Sequence, residues 1–258
     1  MDALDKAPLK ILVFGHSDSD GSHLTNIDEA WPWLLARRLE DNRVTTSVVH
    51  KRLFASRTAV AFVERQLEAE SPDVVIVATS TFPCLVRMVS KRVRQRFGSQ
   101  AGELAGRVER FVARHPGPPG SARARGALRA RVLGRRLLGT SGEYTFDDLV
   151  KSYQACFAAV ARREHIQAIV IGGAAYAEAI WRLNPGSDVL ETECSAALQR
   201  SALAHHFDWV SHEELLGGRR GKQSYYKADG CHTLAAAHTR LADAVIPLVL
   251  REMQASVP

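Results

Sequence analysis

Alternating strand-like and helix-like segments predict an α/β protein, with a parallel sheet covered by helices on both faces. Three observations carry this expectation. Apolar runs of strand length recur, among them Lys10-Ile11-Leu12-Val13-Phe14, Val74-Val75-Ile76-Val77-Ala78 and Ala168-Ile169-Val170-Ile171, and a continuous apolar run marks a strand buried on both faces. Amphipathic stretches separate the runs. Gly15 closes the first run and Gly172-Gly173 closes that of 168–171. Strand–helix–strand order of this kind builds parallel sheets through right-handed crossovers.

Each element follows in order. Lys10–Phe14 is the first strand. Ile27–Glu40 is a helix, because Trp31, Leu34, Leu35 and Leu39 share one face. The β-branched Val44–Val49 is the second strand, Ser56–Ser71 a helix, and Pro72 precedes the third strand, Val74–Ala78. Phe146–Glu164 reads as a helix capped by Thr145, with Asp147 and Asp148 in its positive first turn. Ala168–Ile171 is the fourth strand, Ser195–His206 a helix and Phe207–Val210 a short fifth strand. Leu234–Met253 is a long terminal helix in which Pro247 should cause a kink or local break. No internal repeat interrupts the pattern, and 1–258 reads as a single domain.

Between the third and fourth strands the composition changes. The chain carries +6 overall, but residues 98–140 hold nine arginines (107, 110, 114, 123, 125, 129, 131, 135 and 136) against Glu103 and Glu109. That segment has a net charge of +7, so the other 215 residues carry −1. Within it, His115-Pro116-Gly117-Pro118-Pro119-Gly120-Ser121 breaks any helix. Helices are expected on either side, at Ala101–Arg114 and Ala122–Leu138. The segment therefore reads as an inserted basic helical hairpin, either a passive solvated surface or a docking face for an acidic protein. It lacks the aromatic-interleaved basic pattern of a nucleic-acid binder, so no nucleic acid is expected.

Composition sets further bounds. With 46% hydrophobic and 24% charged residues, wholesale disorder is excluded. No run approaches the ~18 apolar residues of a membrane span, and Met1–Lys10 lacks the apolar core of a signal peptide. Cys84, Cys156, Cys194 and Cys231 form no CxxC pair or metal-ligand spacing. They read as reduced thiols in a cytoplasmic protein.

Ligands of parallel α/β sheets bind beyond the carboxyl ends of the strands. The loop after the first strand is Gly15-His16-Ser17-Asp18-Ser19-Asp20-Gly21. A serine in such a turn can present its hydroxyl at the sheet edge, with backbone N–H groups facing a developing oxyanion. It needs a base to act as a nucleophile. Asp229-Gly230-Cys231-His232 supplies one, because a spacing of three places both side chains on one side of a turn. The aspartate can orient the imidazole, and the imidazole can take and return the serine proton.

These two blocks resemble the SGNH, or GDSL-type, hydrolase family. Phe14-Gly15-His16-Ser17-Asp18-Ser19-Asp20-Gly21 has the frame of that family's first block. Asp229-Gly230-Cys231-His232, running into Leu234-Ala235-Ala236-Ala237-His238, is similar to its last, and Trp31-Pro32-Trp33-Leu34-Leu35-Ala36 also looks familial. The resemblance covers roughly 8–98 and 143–252. It implies a flavodoxin-like three-layer α/β/α sandwich of about five parallel strands. It also implies Ser17 as nucleophile, His232 as general base and Asp229 as its orienting partner, with no cofactor.

The chain departs from the family at three places. His16 stands where the family has aspartate. The stretch compared with the second block, Thr46-Ser47-Val48-Val49-His50, has no glycine to donate an N–H to the oxyanion. Phe82, in Thr79-Ser80-Thr81-Phe82-Pro83, stands near the third-block asparagine. Loss of one oxyanion donor costs about 10²–10³ in rate, so substitutes are expected. Ser80 and Thr81 are the nearest hydroxyl donors, and His16, Asp18 and Gly21 complete the expected oxyanion and substrate-binding set around Ser17.

The resulting expectation is a serine esterase, thioesterase or acyltransferase acting on a small-molecule or carrier-bound acyl group. Two other readings stand beside it. One is an SGNH-fold binding protein with impaired catalysis. The other is a metal-dependent hydrolase using His16, Asp18 and Asp20, with His23 nearby, whose mixed N/O ligands suit zinc or manganese. The chain has no Gly-x-Ser-x-Gly elbow, no P-loop and no Gly-x-Gly-x-x-Gly after a strand.

Overall fold

A computed structural model describes residues 7–85, 89–114, 144–173, 176–183, 187–218, 222–227 and 229–255, with isolated positions 122, 126, 133 and 137. In chain order the elements are β1 (Leu9–Gly15), α1 (Trp31–Asp41), β2 (Thr46–Arg52), α2 (Ala59–Glu70) and β3 (Val74–Ala78). Then come α3 (Phe82–Leu85), α4 (Val89–Phe97), α5 (Ser99–Arg114), α6 (Phe146–Ala161) and β4 (Gln167–Gly172). The chain continues through α7 (Glu178–Leu183), α8 (Ser187–Ala204), β5 (Asp208–Ser211), α9 (His212–Leu215) and α10 (Ala235–Ala255). They form two compact units: 1–81 with 146–258, and 82–145.

In the first unit all five strands are parallel, in the order β2-β1-β3-β4-β5. Side chains alternate across the pleat. Ile11, Val13, Ile76, Ile169 and Ile171 face α1 and α10, where Trp31, Leu35, Leu39, Leu241, Val245 and Val249 complete one core layer. Leu12, Phe14, Val75, Val77 and Val170, also fully buried, point to the other face. There Phe14 meets Phe62 of α2 edge-on, and Phe157 of α6 meets Phe207. The central strands β1, β3 and β4 are thus buried on both sides, which explains why they read as unbroken apolar runs.

Several boundaries differ from expectation. Asn26 caps a single 3₁₀ turn at Ile27–Glu29, and α1 starts only at Trp31, with Pro32 in its first turn, where a missing N–H costs nothing. The helix before β5 starts eight residues earlier than expected, at Ser187. α10 runs unbroken through Pro247.

The second unit is wider than the 98–140 segment. Its α4 and α5 form a hairpin turning at Gly98, whose φ is 87°. The helices approach closely because α5 presents glycines: a Cβ on Gly102 would lie 2.4 Å from Arg94 Cβ. Glu109 caps α4, accepting from Val89 N–H (2.8 Å), Ser90 N–H (3.2 Å) and Ser90 Oγ (2.5 Å). The expected helix at 101–114 is present as α5. Its expected partner at 122–138 lies outside the described residues except for isolated positions.

Candidate active site

The strand order reverses direction between β1 and β3, and open α/β sheets bind ligands at that point. The loop after β1 holds Ser17. The loop that follows β3 holds Thr79, Ser80 and Thr81. A third segment reaches the same edge from far along the chain. Tyr226 and Thr233 pair as an isolated antiparallel bridge, and Lys227 N–H donates to His232 O (2.8 Å). Asp229 and His232 sit at the tip of that narrow turn, which Gly230 permits through a φ of 75°.

Ser17 Oγ lies 3.5 Å from His232 Nε2, and His232 Nδ1 lies 2.8 Å from Asp229 Oδ2. The structure therefore brings Ser17, His232 and Asp229 into one line. Asp229 is fixed further by the N–H groups of Cys231 (2.9 Å) and His232 (3.0 Å), both donating to Oδ1. Burial works to raise its pKa, but these bonds and the imidazole contact prevail and hold it at about 2.

The neighbours of Ser17 play a different part from the one expected. Asp18 is only 7% exposed. Its carboxylate accepts from Thr233 N–H (2.9 Å), and Thr233 Oγ1 lies 2.8 Å from both of its oxygens. It ties the two loops together. His23 adds a second tie: Nδ1 is 3.1 Å from Ser17 O, and Nε2 is 2.9 Å from Thr233 O. Behind them His238 Nδ1 accepts from Trp31 N–H (3.2 Å), while its Nε2 is 3.1 Å from Thr233 Oγ1.

His16 also turns inward. Its Nδ1 accepts from Asp18 N–H (3.3 Å), its ring bonds the Thr79 backbone, and burial lowers its pKa. It lines a small cavity with Asp18, Ser19, Thr79, Gly173 and His212, large enough for about one water. Gly21 holds a left-handed turn (φ 69°), and a Cβ there would strike Ala30 at 2.6 Å. His16, Asp18 and Gly21, expected in the substrate-binding set, each make structural contacts within the loop or to the Thr233 segment. Ser19 N–H and Asp20 N–H donate to His16 O; the Ser17 N–H is in none of these bonds.

The oxyanion side also needs correction. The stretch Thr46–His50 lies inside β2, so the loop at the matching sheet edge is Leu53-Phe54-Ala55-Ser56. Ser80 N–H donates to Tyr153 OH (3.0 Å). The side chains of Ser80 and Thr81 meet the hydroxyl of Tyr176, whose pKa is pushed upward by burial. Sequence reasoning missed Tyr176 and Thr233, read His23 only as a neighbour of the metal-ligand candidates, and gave His238 no role beyond the family block. The one signal for Tyr176 is its place just after Gly172-Gly173, at the end of β4.

Among the described residues, two sets bring three metal-ligating atoms within 4.8 Å of one another: Asp18, His23, His238 and Asp229, Cys231, His232. The expected set of His16, Asp18 and Asp20 does not converge. Asp20 instead pairs with Arg52 and accepts from Ser22 N–H (2.8 Å).

No family model matches the sequence, and no curated protein matches it. Solved structures do match. TesA superposes with a TM-score of 0.56 at 18% identity, covering 92% of this chain and 96% of its own. The psychrotrophic esterase EstA from Pseudoalteromonas sp., in a structure inhibited by monoethylphosphonate, gives 0.55 at 9% identity over 95% and 98%. A GDSL-like lipase from Bacteroides thetaiotaomicron gives 0.52 at 12% identity over 95% and 88%. The chain has the fold of GDSL-type hydrolases. In this chain the β1 loop and the turn before α10 meet at the sheet edge, where Ser17 and His232 lie.

Proposed function

We propose that this chain is a GDSL-type serine hydrolase that cleaves an ester or thioester through an acyl-enzyme on Ser17. The observation that carries the reading is the line Ser17 Oγ, His232 Nε2 and Nδ1, Asp229 Oδ2, spanned by contacts of 3.5 and 2.8 Å. The first contact must close to about 3 Å for proton transfer. Ser17 Oγ attacks the carbonyl carbon while His232 Nε2 takes its proton, and Asp229 stabilises the imidazolium. The tetrahedral intermediate expels the alcohol or thiol, which leaves with the proton from His232. Water, or an alcohol or amine acceptor, then attacks the acyl-enzyme, giving its proton to His232, which returns it to Ser17. The Ser17 N–H, with the hydroxyls of Ser80, Thr81 and Tyr176, supplies the oxyanion donors in this reading.

A fluorophosphonate probe should label wild-type protein at Ser17, and Ser17→Ala should lose both labelling and hydrolysis of activated short-chain esters. Turnover persisting in that variant refutes the nucleophile assignment. Labelling without turnover on esters or thioesters favours the binding-protein reading, which the missing glycine and asparagine motivate.

The partner belongs to the same proposal. The +7 segment complements an acidic carrier protein that presents the acyl group. Neutralising Arg129, Arg131, Arg135 and Arg136 should raise KM for a carrier-bound substrate and flatten its salt dependence; unchanged kinetics refute the docking role. The reading also places the protein in the cytoplasm. Cys84, Cys156 and Cys194 are separately buried thiols, which suits a reducing compartment.

A further inference from the structure

The turn that carries Asp229 and His232 carries a third donor that the hydrolytic mechanism does not use. Cys231 Sγ lies 3.5 Å from His232 Nδ1 and 3.4 Å from Asp229 Oδ1, while Nδ1 and Oδ2 are 2.8 Å apart. A four-coordinate zinc ion holds sulfur at about 2.3 Å and nitrogen or oxygen at about 2.0–2.2 Å, so neighbouring donors stand about 3.3–3.6 Å apart. Both contacts from sulfur, to Nδ1 and to Oδ1, already have that length. The 2.8 Å contact runs from Nδ1 to the other oxygen, Oδ2, so an ion held by one oxygen requires the Asp229 carboxylate to turn away from the imidazole.

The other candidate set differs. The donor atoms of both sets are hydrogen-bonded, those of Asp18, His23 and His238 by Thr233, Ser17 O and Trp31 N–H and those of Asp229 by the N–H groups of Cys231 and His232; the difference is burial, since two of the first three residues are buried. Asp229 is exposed and Cys231 and His232 are half-buried, so an ion can reach them from solvent. The remaining cysteines are buried. A thiol, an imidazole and a carboxylate together select a borderline-soft cation over magnesium or calcium.

We propose that Asp229, Cys231 and His232 form an inhibitory site for a thiophilic divalent cation, zinc first among them. The ion binds Cys231 Sγ, His232 Nδ1 and an Asp229 oxygen, with water as fourth ligand. The thiol proton leaves to solvent. The proton on Nδ1 moves to Nε2, so the imidazole remains neutral. Nε2 then carries a hydrogen and cannot accept the proton of Ser17, and Asp229 no longer orients the ring.

The inhibitory consequence rests on the hydrolase reading, but the site itself does not. Cadmium titrated into Ser17→Ala protein should give a sulfur-to-cadmium ultraviolet absorption that saturates at one ion per chain. Adding Cys231→Ala should abolish it. In wild-type protein, chelator-buffered zinc should inhibit hydrolysis of an activated short-chain ester, with full reversal by EDTA. Cys231→Ala should keep its basal turnover and need at least about tenfold more zinc. Absence of the cadmium band, or equal zinc sensitivity in Cys231→Ala, overturns the proposal. A Cys231-dependent band in a protein without esterase activity supports the site and refutes the hydrolase reading instead.

Discussion

Replacing His238 with asparagine should remove much of the protein's loss of stability in mild acid. His238 is fully buried, and its Nδ1 lone pair accepts the Trp31 N–H at the start of α1. The ring is therefore neutral in the fold. Burial lowers its pKa from 6.5 to about 4; the Asp18 carboxylate opposes this, and His23, His212 and His16 reinforce it. Above the unfolded value both states are neutral and His238 contributes no pH dependence. As pH falls, the unfolded chain takes up the proton first, so stability is lost progressively down to about 4. The full gap corresponds to about 3 kcal/mol, of which about 2 kcal/mol develops between about pH 7 and pH 5.

Urea unfolding at those two pH values measures this directly. Wild-type stability should fall by at least about 2 kcal/mol. Burial likewise depresses His212, to about 4, and it adds its own share. His238→Asn keeps an acceptor for Trp31 N–H, and its drop should be smaller by about 2 kcal/mol. An equal drop in both proteins would refute the assignment of a neutral, proton-resistant His238.

Three further outcomes follow from the same contacts. Asp229→Asn should lower kcat by about 10³–10⁴ in an ester-hydrolysis assay, because the amide fails to hold the imidazole as a base. Thr233→Val removes the hydroxyl bonded to the buried Asp18 carboxylate; it should destabilise the fold by about 1–3 kcal/mol in urea unfolding and reduce kcat with it. Tyr176→Phe should lower kcat about 10²-fold with little change in KM in steady-state kinetics, if its hydroxyl serves the oxyanion.

The sheet was legible because burial on both faces leaves a one-dimensional mark. Val74–Ala78 is five apolar residues in the sequence and five buried residues in β3. β2 was less legible, and it runs to Arg52 rather than Val49. It is an edge strand, only partly buried, and tolerates His50, Lys51 and Arg52. That shift misplaced the second-block comparison onto the strand itself. α4 escaped notice because its sequence, Val-Ser-Lys-Arg-Val-Arg-Gln-Arg-Phe, buries no residue fully. It is held by Glu109 at its start and by close contact at Gly102. Neither leaves an apolar period.

The convergence of Ser17, Asp229 and His232 was legible in the sequence, while the bonds made by their neighbours were not. Asp18 adjoins Ser17 and carries a reactive group, so adjacency favoured a chemical role. Yet successive residues of a tight turn point in different directions, and Ser17 and Asp18 divide the work. Ser17 faces His232, while Asp18 faces back into the protein and takes two bonds from Thr233, the residue after His232. The same division holds on the other loop, where His232 faces Ser17 and Thr233 anchors. The Ser17–His232 geometry thus depends on a second pair, one residue further along each loop. His23 spans both sides through Ser17 O and Thr233 O. Substitutions at Asp18, His23 or Thr233 should therefore slow catalysis by displacing Ser17 from His232. That effect requires no contact between these side chains and the substrate.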